Sequence, residues 1–494
     1  MVKAFPEQTA LNGGELSPRL HARPDLAKYQ TSLATCANFI PRVQGGLTRR
    51  PGTRFVAEVK DSTASQLLVP FVFSRTQAYM LEFGDQYVRF YMRGGQLYAT
   101  SPNYELQAED DTVMETEDGQ TINVTQVDPS AAPYELSSPY TEDELSDIQY
   151  AQTADVMFIT HPDHPIRTLT RTGHTQWTFA EYEAKNGPFL ELNDDESHTI
   201  RASAVTGTVT LTSSKAFFDS GMVGALMYLE QGDEEDYSAW EPGINFSLGD
   251  QVRWLENVYQ ADIDSGDSGA VAPVHLDGSR WDGRINGSVR WKYLHSGFGT
   301  VRITAVASST SATATVIKRL PENVVSDGTD KWKEGAFSNY RGYPRAVALY
   351  EQRLWFASTD YRPQTLWSSV AGDFFDFDDT DLPDNAITYT VNSRNANPIE
   401  ALSDSLFLHV FAQDREMIGA PSNNSAGVAQ GDFSVKPSTS YGSSPVIPVT
   451  IDASTLFVDE SGFRLVELSY ALENDGFAPI DLTLFADHIA RPGQ

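Results

Sequence analysis

The sequence predicts a mainly β protein, and three observations lead to that prediction. Short apolar runs rich in β-branched and aromatic residues recur along the chain. Turn signals such as FGD, RGG, RTGH and ESG separate these runs, and helix signals are few. The runs lie at 67–73, 78–92, 156–160, 208–212, 301–306, 346–358 and 455–459.

Two segments carry the few helix signals. Thr141 followed three residues later by Glu144 has the arrangement of a capping box, which predicts a helix start there. A second short helix is expected after Pro24, within the segment 18–39.

The segment 11–51 at the N-terminus is typical of an extended chain that binds a partner. It has glycine pairs near both ends, Gly13-Gly14 and Gly45-Gly46, which permit backbone conformations and close approaches that a side chain forbids. Pro18 and Pro24 interrupt helices and favour extended backbone. We therefore expect this segment to serve assembly and not catalysis.

The same segment resembles a family signature. The runs GGELSPRLHARPDLAKYQ (13–30), Cys-x-Asn-Phe (36–39) and GGLTRRPGT (45–53) resemble the N-terminus of the tail nozzle proteins, or tail tubular proteins B, of short-tailed bacteriophages (podoviruses). Further matching runs lie at 150–179, 342–369 and 457–489. Members of that family usually continue beyond the last of these runs, so we expect either that a C-terminal part is absent here or that another chain supplies it.

The resemblance implies a structural function. It predicts a virion tail subunit, assembled in the host cytoplasm, that forms a homo-hexameric ring, continues the short tail and serves as a conduit for genome ejection. The expected partners are the adaptor protein of the upper tail ring and tail fibres or spikes. Double-stranded DNA is expected to pass transiently without tight binding, and contact with the host envelope is a further expectation.

The resemblance and the strand density together predict a β-propeller-like central domain with inserted small β-domains and an extended N-terminal strap. Strand-turn-strand rhythm recurs around 67–97, 146–180, 343–370, 399–420 and 440–470, without a countable fixed repeat. We expect the strap at 1–60, the first part of the propeller at 61–194, the insertion at 195–330 and the second part at 331–494.

Ring assembly needs two different complementary surfaces on each subunit, and the strap is the candidate for one of them. Its arginines are candidate anchors on an otherwise acidic chain, because bidentate pairs with carboxylates give a contact orientation. Ordinary solvation of these arginines is the alternative. The candidate interface residues are Gly13, Gly14, Arg19, Arg23, Asp25, Tyr29, Asn38, Arg49 and Arg50.

Composition narrows the function classes. The chain has 494 residues with 36 basic and 67 acidic side chains, a net charge of −31. Such a balance argues against a general nucleic-acid-binding surface and suits a wall that repels phosphates.

The single cysteine, Cys36, excludes an intrachain disulfide and predicts folding in a reducing cytoplasm. No apolar run has the length of a signal peptide core or a membrane span.

Within the insertion, residues 245–294 resemble small carbohydrate-binding modules of the chitin-binding type. Seven residues match positions of that pattern: Gly249, Asp250, Val252, Tyr259, Ala261, Pro273 and Trp291. Two interpretations stay open for the aromatic rings: they stack on sugars, or they form the core of a small β-domain. The rings are Trp254, Tyr259, Trp281 and Trp291.

No motif predicts catalysis, a cofactor or a metal. The chain lacks a Gly-x-Ser-x-Gly elbow, a His-Glu-x-x-His pair, a Walker loop and a dinucleotide fingerprint. The acidic run 372–381 lacks EF-hand spacing, and we expect an exposed turn with Phe375 and Phe377 buried. Pro162 and Pro165 prevent a helical His161/His164 site. A glycan-binding protein and a polysaccharide-degrading tail protein remain alternatives to the structural subunit, because distant carboxylate pairs leave no local pattern.

Overall fold

The computed structural model describes residues 8–99, 104–105, 123–124, 132–231, 237–255, 257–282, 288–380, 382–392, 396–422, 427–471 and 476–490. The mainly β prediction is confirmed. Among these residues one short α-helix occurs, Glu322–Ser326, with 3₁₀-helices at Pro18–Leu20, Tyr29–Thr31, Glu142–Asp147 and Ser220–Met222. All other regular elements are strands, and nearly every strand pair is antiparallel.

Five antiparallel sheets, each a meander of consecutive strands, have the architecture of propeller blades in the described chain. We number them in chain order. Blade 1 holds Leu67–Ser74, Gln77–Gly84, Tyr87–Met92 and Gly95–Gln96, with Glu135–Ser137 beside its third strand. Blade 2 holds Gln149–Thr153, Val156–His161, His164–Gly173 and Gln176–Glu181.

The other three blades follow the insertion. Blade 3 holds Ala346–Tyr350, Arg353–Ala357, Thr365–Ser368 and Ile387–Thr390. Blade 4 holds Ile399–Asp404, Leu408–Ala412, Glu416–Pro421 and Phe433–Thr439. Blade 5 holds Val449–Ile451, Ser454–Val458, Leu465–Ala471 and Gly476–Asp481. These sheets coincide with the predicted strand-turn-strand regions, and they are longer than predicted in blades 3, 4 and 5.

The blades pack in chain order. The first strands of blades 2, 3, 4 and 5 contact one another in succession. Phe71 of blade 1 packs edge-on against Trp177 of blade 2, with ring centroids 4.8 Å apart. Blades 3 and 4 share an apolar core that includes Trp355 and Val410. The burial of these rings and aliphatic side chains between facing sheets is the main force that holds the blades together.

The insertion forms a six-stranded sheet of its own. Its core contains Leu211, Met227 and Val301, each fully buried. The sheet extends to Glu334, just beyond the expected boundary at 330, and the Leu190 amide donates to the Glu334 carbonyl over 2.7 Å. The strands, in spatial order, are Ile200–Ala202, Thr208–Ser213, Ser311–Lys318, Phe298–Ser308, Leu226–Glu230 and Trp332–Glu334.

A smaller β unit lies within the insertion, between the strands Leu226–Glu230 and Phe298–Ser308. It has one five-stranded and one two-stranded sheet in its described part. The five-stranded sheet holds Ser238–Ala239, Gln251–Trp254, Asn257–Ala261, Arg290–His295 and Ser279–Trp281, and the other pairs Asn245–Ser247 with Ser265–Asp267. Two further short pairs occur elsewhere, Phe39–Pro41 with Leu47–Arg49 and Tyr104–Glu105 with Asn123–Val124.

Candidate assembly surface

The N-terminal strap (residues 1–60, described from 8) folds back on itself. Gly14 has φ +76°, and the Leu33 amide donates to its carbonyl over 2.8 Å. A Cβ on Gly13 would lie 2.5 Å from Ser32 Oγ, so any side chain here would force the neighbouring strap segment to move. The glycine pair therefore has the role that its sequence suggested: it lets two strap segments run side by side.

The folded strap docks on residues 482–489, which directly follow blade 5. The Ser17 amide donates to the Phe485 carbonyl over 2.8 Å. Arg19 Nη1 lies 3.2 Å from Asp487 Oδ2, and this pair is exposed. The ammonium group of Lys28 lies 4.9 Å from the centroid of the Phe485 ring. Arg19, a candidate anchor for another subunit, thus already has a partner in its own chain.

Arg23, Asp25 and Tyr29 form a local group at the bend of the strap. Arg23 makes two parallel hydrogen bonds to Asp25, Nε to Oδ1 at 2.9 Å and Nη2 to Oδ2 at 2.7 Å. These bonds lower the pKa of the Asp25 carboxyl. The Tyr29 hydroxyl donates to the His21 carbonyl over 2.9 Å. The expected bidentate arginine pair exists here, but both partners are neighbours in sequence.

Asn38, Arg49 and Arg50 lie at the exposed hairpin of the strap. Asn38 has φ +63°, a backbone conformation that asparagine tolerates better than most residues. Its Oδ1 accepts from Arg50 Nε at 3.1 Å, and its carbonyl accepts from the Arg50 amide at 2.9 Å. Arg49 lies opposite Phe39 in the hairpin, and both side chains are exposed. Arg49 is thus the candidate cation best placed for an external carboxylate.

The short helix expected after Pro24 is reduced to a single 3₁₀ turn. The structure has only the 3₁₀ turn Tyr29–Thr31 in that stretch. The capping box at Thr141 does form, with the Thr141 amide 2.7 Å from Glu144 Oε2, but it begins a 3₁₀-helix. Local hydrogen bonds at the bend of the strap replace the helical ones after Pro24.

The strap joins blade 1 through a buried carboxylate that the sequence did not single out. Glu82 is 1% exposed, and its Oε1 accepts from the Tyr87 hydroxyl at 2.5 Å while Oε2 accepts from the Tyr91 hydroxyl. Burial and this carboxylate raise the pKa of both phenols. The Lys60 amide also points to Glu82, at 3.4 Å, and Lys60 Nζ lies 2.5 Å from Glu135 Oε1. The alternation of polar and apolar residues in 77–92 is the only sequence signal for this cluster.

Within the described chain, each of the two terminal blades exposes apolar side chains on one face. Blade 1 buries Phe71 and Leu81 against blade 2, whereas Leu68, Val72 and Met80 on its other face are 59%, 57% and 39% exposed. We call these three residues the blade 1 face. Among the blades of the described chain, only blade 1 and blade 5 have large apolar side chains at exposed strand positions.

Blade 5 repeats this pattern at the other end. Its residues Phe457, Val466 and Leu468 pack against blade 4. On its opposite side, Val449, Ile451 and Ile480 are 55%, 54% and 51% exposed, and the strand register places them on one face. We call these three residues the blade 5 face. Blades 2, 3 and 4 have neighbours on both sides, which is why their apolar strand residues are covered.

The four aromatic residues of the small β unit divide into two groups. Tyr259 and Trp291 are fully buried, and Trp291 Nε1 donates to the buried Asp282 carboxylate over 2.8 Å. These two rings form core and offer no face to a sugar, so the sugar-stacking interpretation is wrong for them. Trp254 is half-buried against Trp240. Trp281 is 38% exposed, so it alone of the four presents a substantial open surface.

The histidine and acidic segments take structural positions. His161 and His164 face each other across the hairpin turn of blade 2, and His164 Nε2 lies 3.1 Å from Glu144 Oε1. Phe377 is 2% exposed, whereas Phe375 is only partly buried and stacks on Tyr182. No cluster of three or more metal-ligating side chains occurs among the described residues. A second acidic run, 233–236, and Arg394 lie outside the described residues.

No protein-family model matches the chain, and no curated protein matches it. In the described part of the structure, helices with the length and hydropathy needed to cross a membrane are absent.

Proposed function

We propose that this protein is a structural virion subunit, a tail nozzle protein whose copies join head to tail in a hexameric ring. The ring joins the adaptor of the upper tail and carries fibres or spikes. Its acidic lumen conducts the genome without holding it, and its outer end contacts the host envelope. The family resemblance of the strap and blades supports this proposal, and the uncovered faces of blades 1 and 5 carry it.

The two faces meet the requirement for a head-to-tail interface, which is two different surfaces on one subunit. Within the chain, blade faces already pack on blade faces, as blade 1 does on blade 2. Contact between the blade 1 face of one copy and the blade 5 face of the next repeats this packing. It removes six large apolar side chains from water, each contributing about 1 kcal/mol or more.

A mixing experiment tests the proposal. Leu68→Lys blocks the blade 1 face, and Ile451→Lys blocks the blade 5 face. Both variants should keep the fold, because both positions are exposed. Each variant alone should remain a single chain by native mass spectrometry, because its one intact face has no partner. Their mixture should form heterodimers and no ring, because one intact interface joins the two chains and the outer faces are blocked.

Leu406→Lys is the matched control, since Leu406 is 74% exposed in a loop of blade 4. That variant should form the same ring as the natural sequence, seen by negative-stain imaging. A ring of normal size from either single blocked variant would refute the head-to-tail arrangement. A wild-type protein that remains a single chain at high concentration, with and without the adaptor, would refute the ring itself.

A further inference from the structure

The strap ends at the blade 1 face, and its earlier part docks directly after blade 5. Its last residue, Lys60, contacts Glu82 and Glu135 on blade 1, on the same side of the sheet as the blade 1 face. Its docking segment, 482–489, follows the last strand of blade 5 directly. The strap therefore connects the two surfaces that the head-to-tail arrangement brings together between neighbouring copies.

Few contacts hold the strap to residues 482–489, and all of them are specific. They comprise one backbone hydrogen bond, Ser17 to Phe485, the Arg19–Asp487 ion pair, the Glu15–His488 hydrogen bond and the Lys28 ammonium over the Phe485 ring. Glu15 Oε1 lies 2.9 Å from His488 Nε2, and its Oε2 accepts from the Cys36 amide at 2.7 Å. A neighbouring copy offers the identical segment, so the same contacts form between chains without any change in chemistry.

The connection between the docked part and blade 1 permits such an exchange. Residues 51–59 contain no helix, strand or turn, and Phe55 in this stretch is 76% exposed. Fully extended, this stretch spans about 30 Å, which allows the strap to reach across an interface. Its exposed apolar side chains gain burial when a second copy covers them.

We propose that the strap is exchanged between neighbouring copies: residues 8–34 of one chain dock on residues 482–489 of the next. This inference rests on the proposed ring. In the ring, blade 1 of one copy lies against blade 5 of its neighbour, so the neighbour's docking segment is adjacent to the point where the strap leaves blade 1. Each subunit is thereby held by a blade contact and by the strap of the adjacent subunit.

Chemical cross-linking distinguishes exchange from docking within one chain. In a Cys36→Ser background, one variant carries Arg19→Cys at an exposed position and a second carries Asp487→Cys at a partly exposed one. The two variants are mixed before assembly and treated with a short bis-maleimide. Strap exchange predicts covalent chains of doubled mass on a denaturing gel from the mixture, and at most traces of such chains from either variant alone. A single chain carrying both cysteines should give a ladder of multiples.

A matched pair controls for accidental contact between copies. Lys185 Nζ and Asp373 Oδ2 lie 2.6 Å apart, both partly or fully exposed, between blades 2 and 3. Lys185→Cys with Asp373→Cys should cross-link within one chain only. If the Arg19/Asp487 double variant gives only internally linked single chains while native mass spectrometry shows a ring, strap exchange is refuted and the ring stands. If the chains are linked only internally and native mass spectrometry also shows single chains, both strap exchange and the ring are refuted.

Discussion

Glu15 Oε1 and His488 Nε2 lie 2.9 Å apart, although 473 positions separate the two residues in the sequence. The hydrogen bond from His488 lowers the pKa of the Glu15 carboxyl, and the bond from the Cys36 amide lowers it further. The contact joins the first described segment of the chain to the last one. It is one of the polar contacts between the strap and residues 482–489, beside the Ser17–Phe485 hydrogen bond and the Arg19–Asp487 ion pair.

Deletion of residues 11–51 should leave a folded protein that no longer assembles. Among the described strap residues, only Leu16, Ser17 and Ser32 are buried, so the blades lose little of their core. Circular dichroism should show the β spectrum and a cooperative melting transition, whereas native mass spectrometry should show single chains. Incorporation of the truncated chain into virions at the normal level would refute the assembly role.

His409 should make stability depend on pH. Burial lowers the pKa of this histidine to about 4, because its ring packs against Phe411 and Phe477 and is 1% exposed. The unfolded chain takes up a proton near pH 6.5 and the folded chain does not, so stability falls as the pH drops from about 6.5 to 4, by up to about 3 kcal/mol. Urea titrations across this range should show the slope, and His409→Gln should reduce it. An equal slope in the variant would contradict the assignment.

Arg353 should be among the most costly side chains to remove. It is 1% exposed and donates to the carbonyls of Ser369, Asn385 and Pro383 at 2.9, 2.6 and 3.1 Å. Arg353→Met removes the donor of the buried Asn385 carbonyl and takes one of two donors from the Ser369 and Pro383 carbonyls, so we expect a loss of about 2 kcal/mol or more in urea unfolding.

Arg362→Met is the control for Arg353, because its ion pair with Glu191 is largely exposed. The control should lose less than about 1 kcal/mol. Similar losses of unfolding free energy in the two variants would show that the buried Arg353 guanidinium does not stabilise blade 3 more than an exposed ion pair does.

The insertion should be separable from the blades. Leu190 and Glu334 are joined by a backbone hydrogen bond, so a short Gly/Ser linker between them closes the gap left by residues 191–333. The closure cost changes slowly with loop length. Calorimetry of the shortened protein should retain the main transition of the blades. Global loss of folding would show that the insertion belongs to their core.

Duplex DNA should not bind the purified protein tightly. The net charge of −31 repels phosphates, and a protein with several phosphate contacts would lose affinity by orders of magnitude as salt rises. Electrophoretic mobility assays at low and moderate salt should show free DNA throughout. A tight, salt-sensitive complex would overturn the repulsive conduit and indicate a protein that grips DNA.

Local patterns predicted the strands and their grouping into blades, because alternation and turn residues act over a few positions. The contact of Ser17 with Phe485 was beyond such reasoning, since no local signal relates residues so far apart. The burial of Trp291 followed from tertiary packing, which the sequence left undecided between core and sugar contact. The uncovered faces of the terminal blades emerge only when neighbours are known, because Leu68 and Leu81 belong to equally apolar strands.

The first strand of blade 2 reaches past blade 3 to blade 4. Gln149, 3% exposed, donates from Nε2 to the Glu400 carbonyl over 2.5 Å, and Arg345 Nη1 lies 3.1 Å from Glu400 Oε2. Side chains therefore fill the middle of the blade array at this level, and a nucleic acid duplex has no passage between those strands. In the proposed nozzle, a pore wide enough for the genome would therefore have to form between several copies and not within one chain.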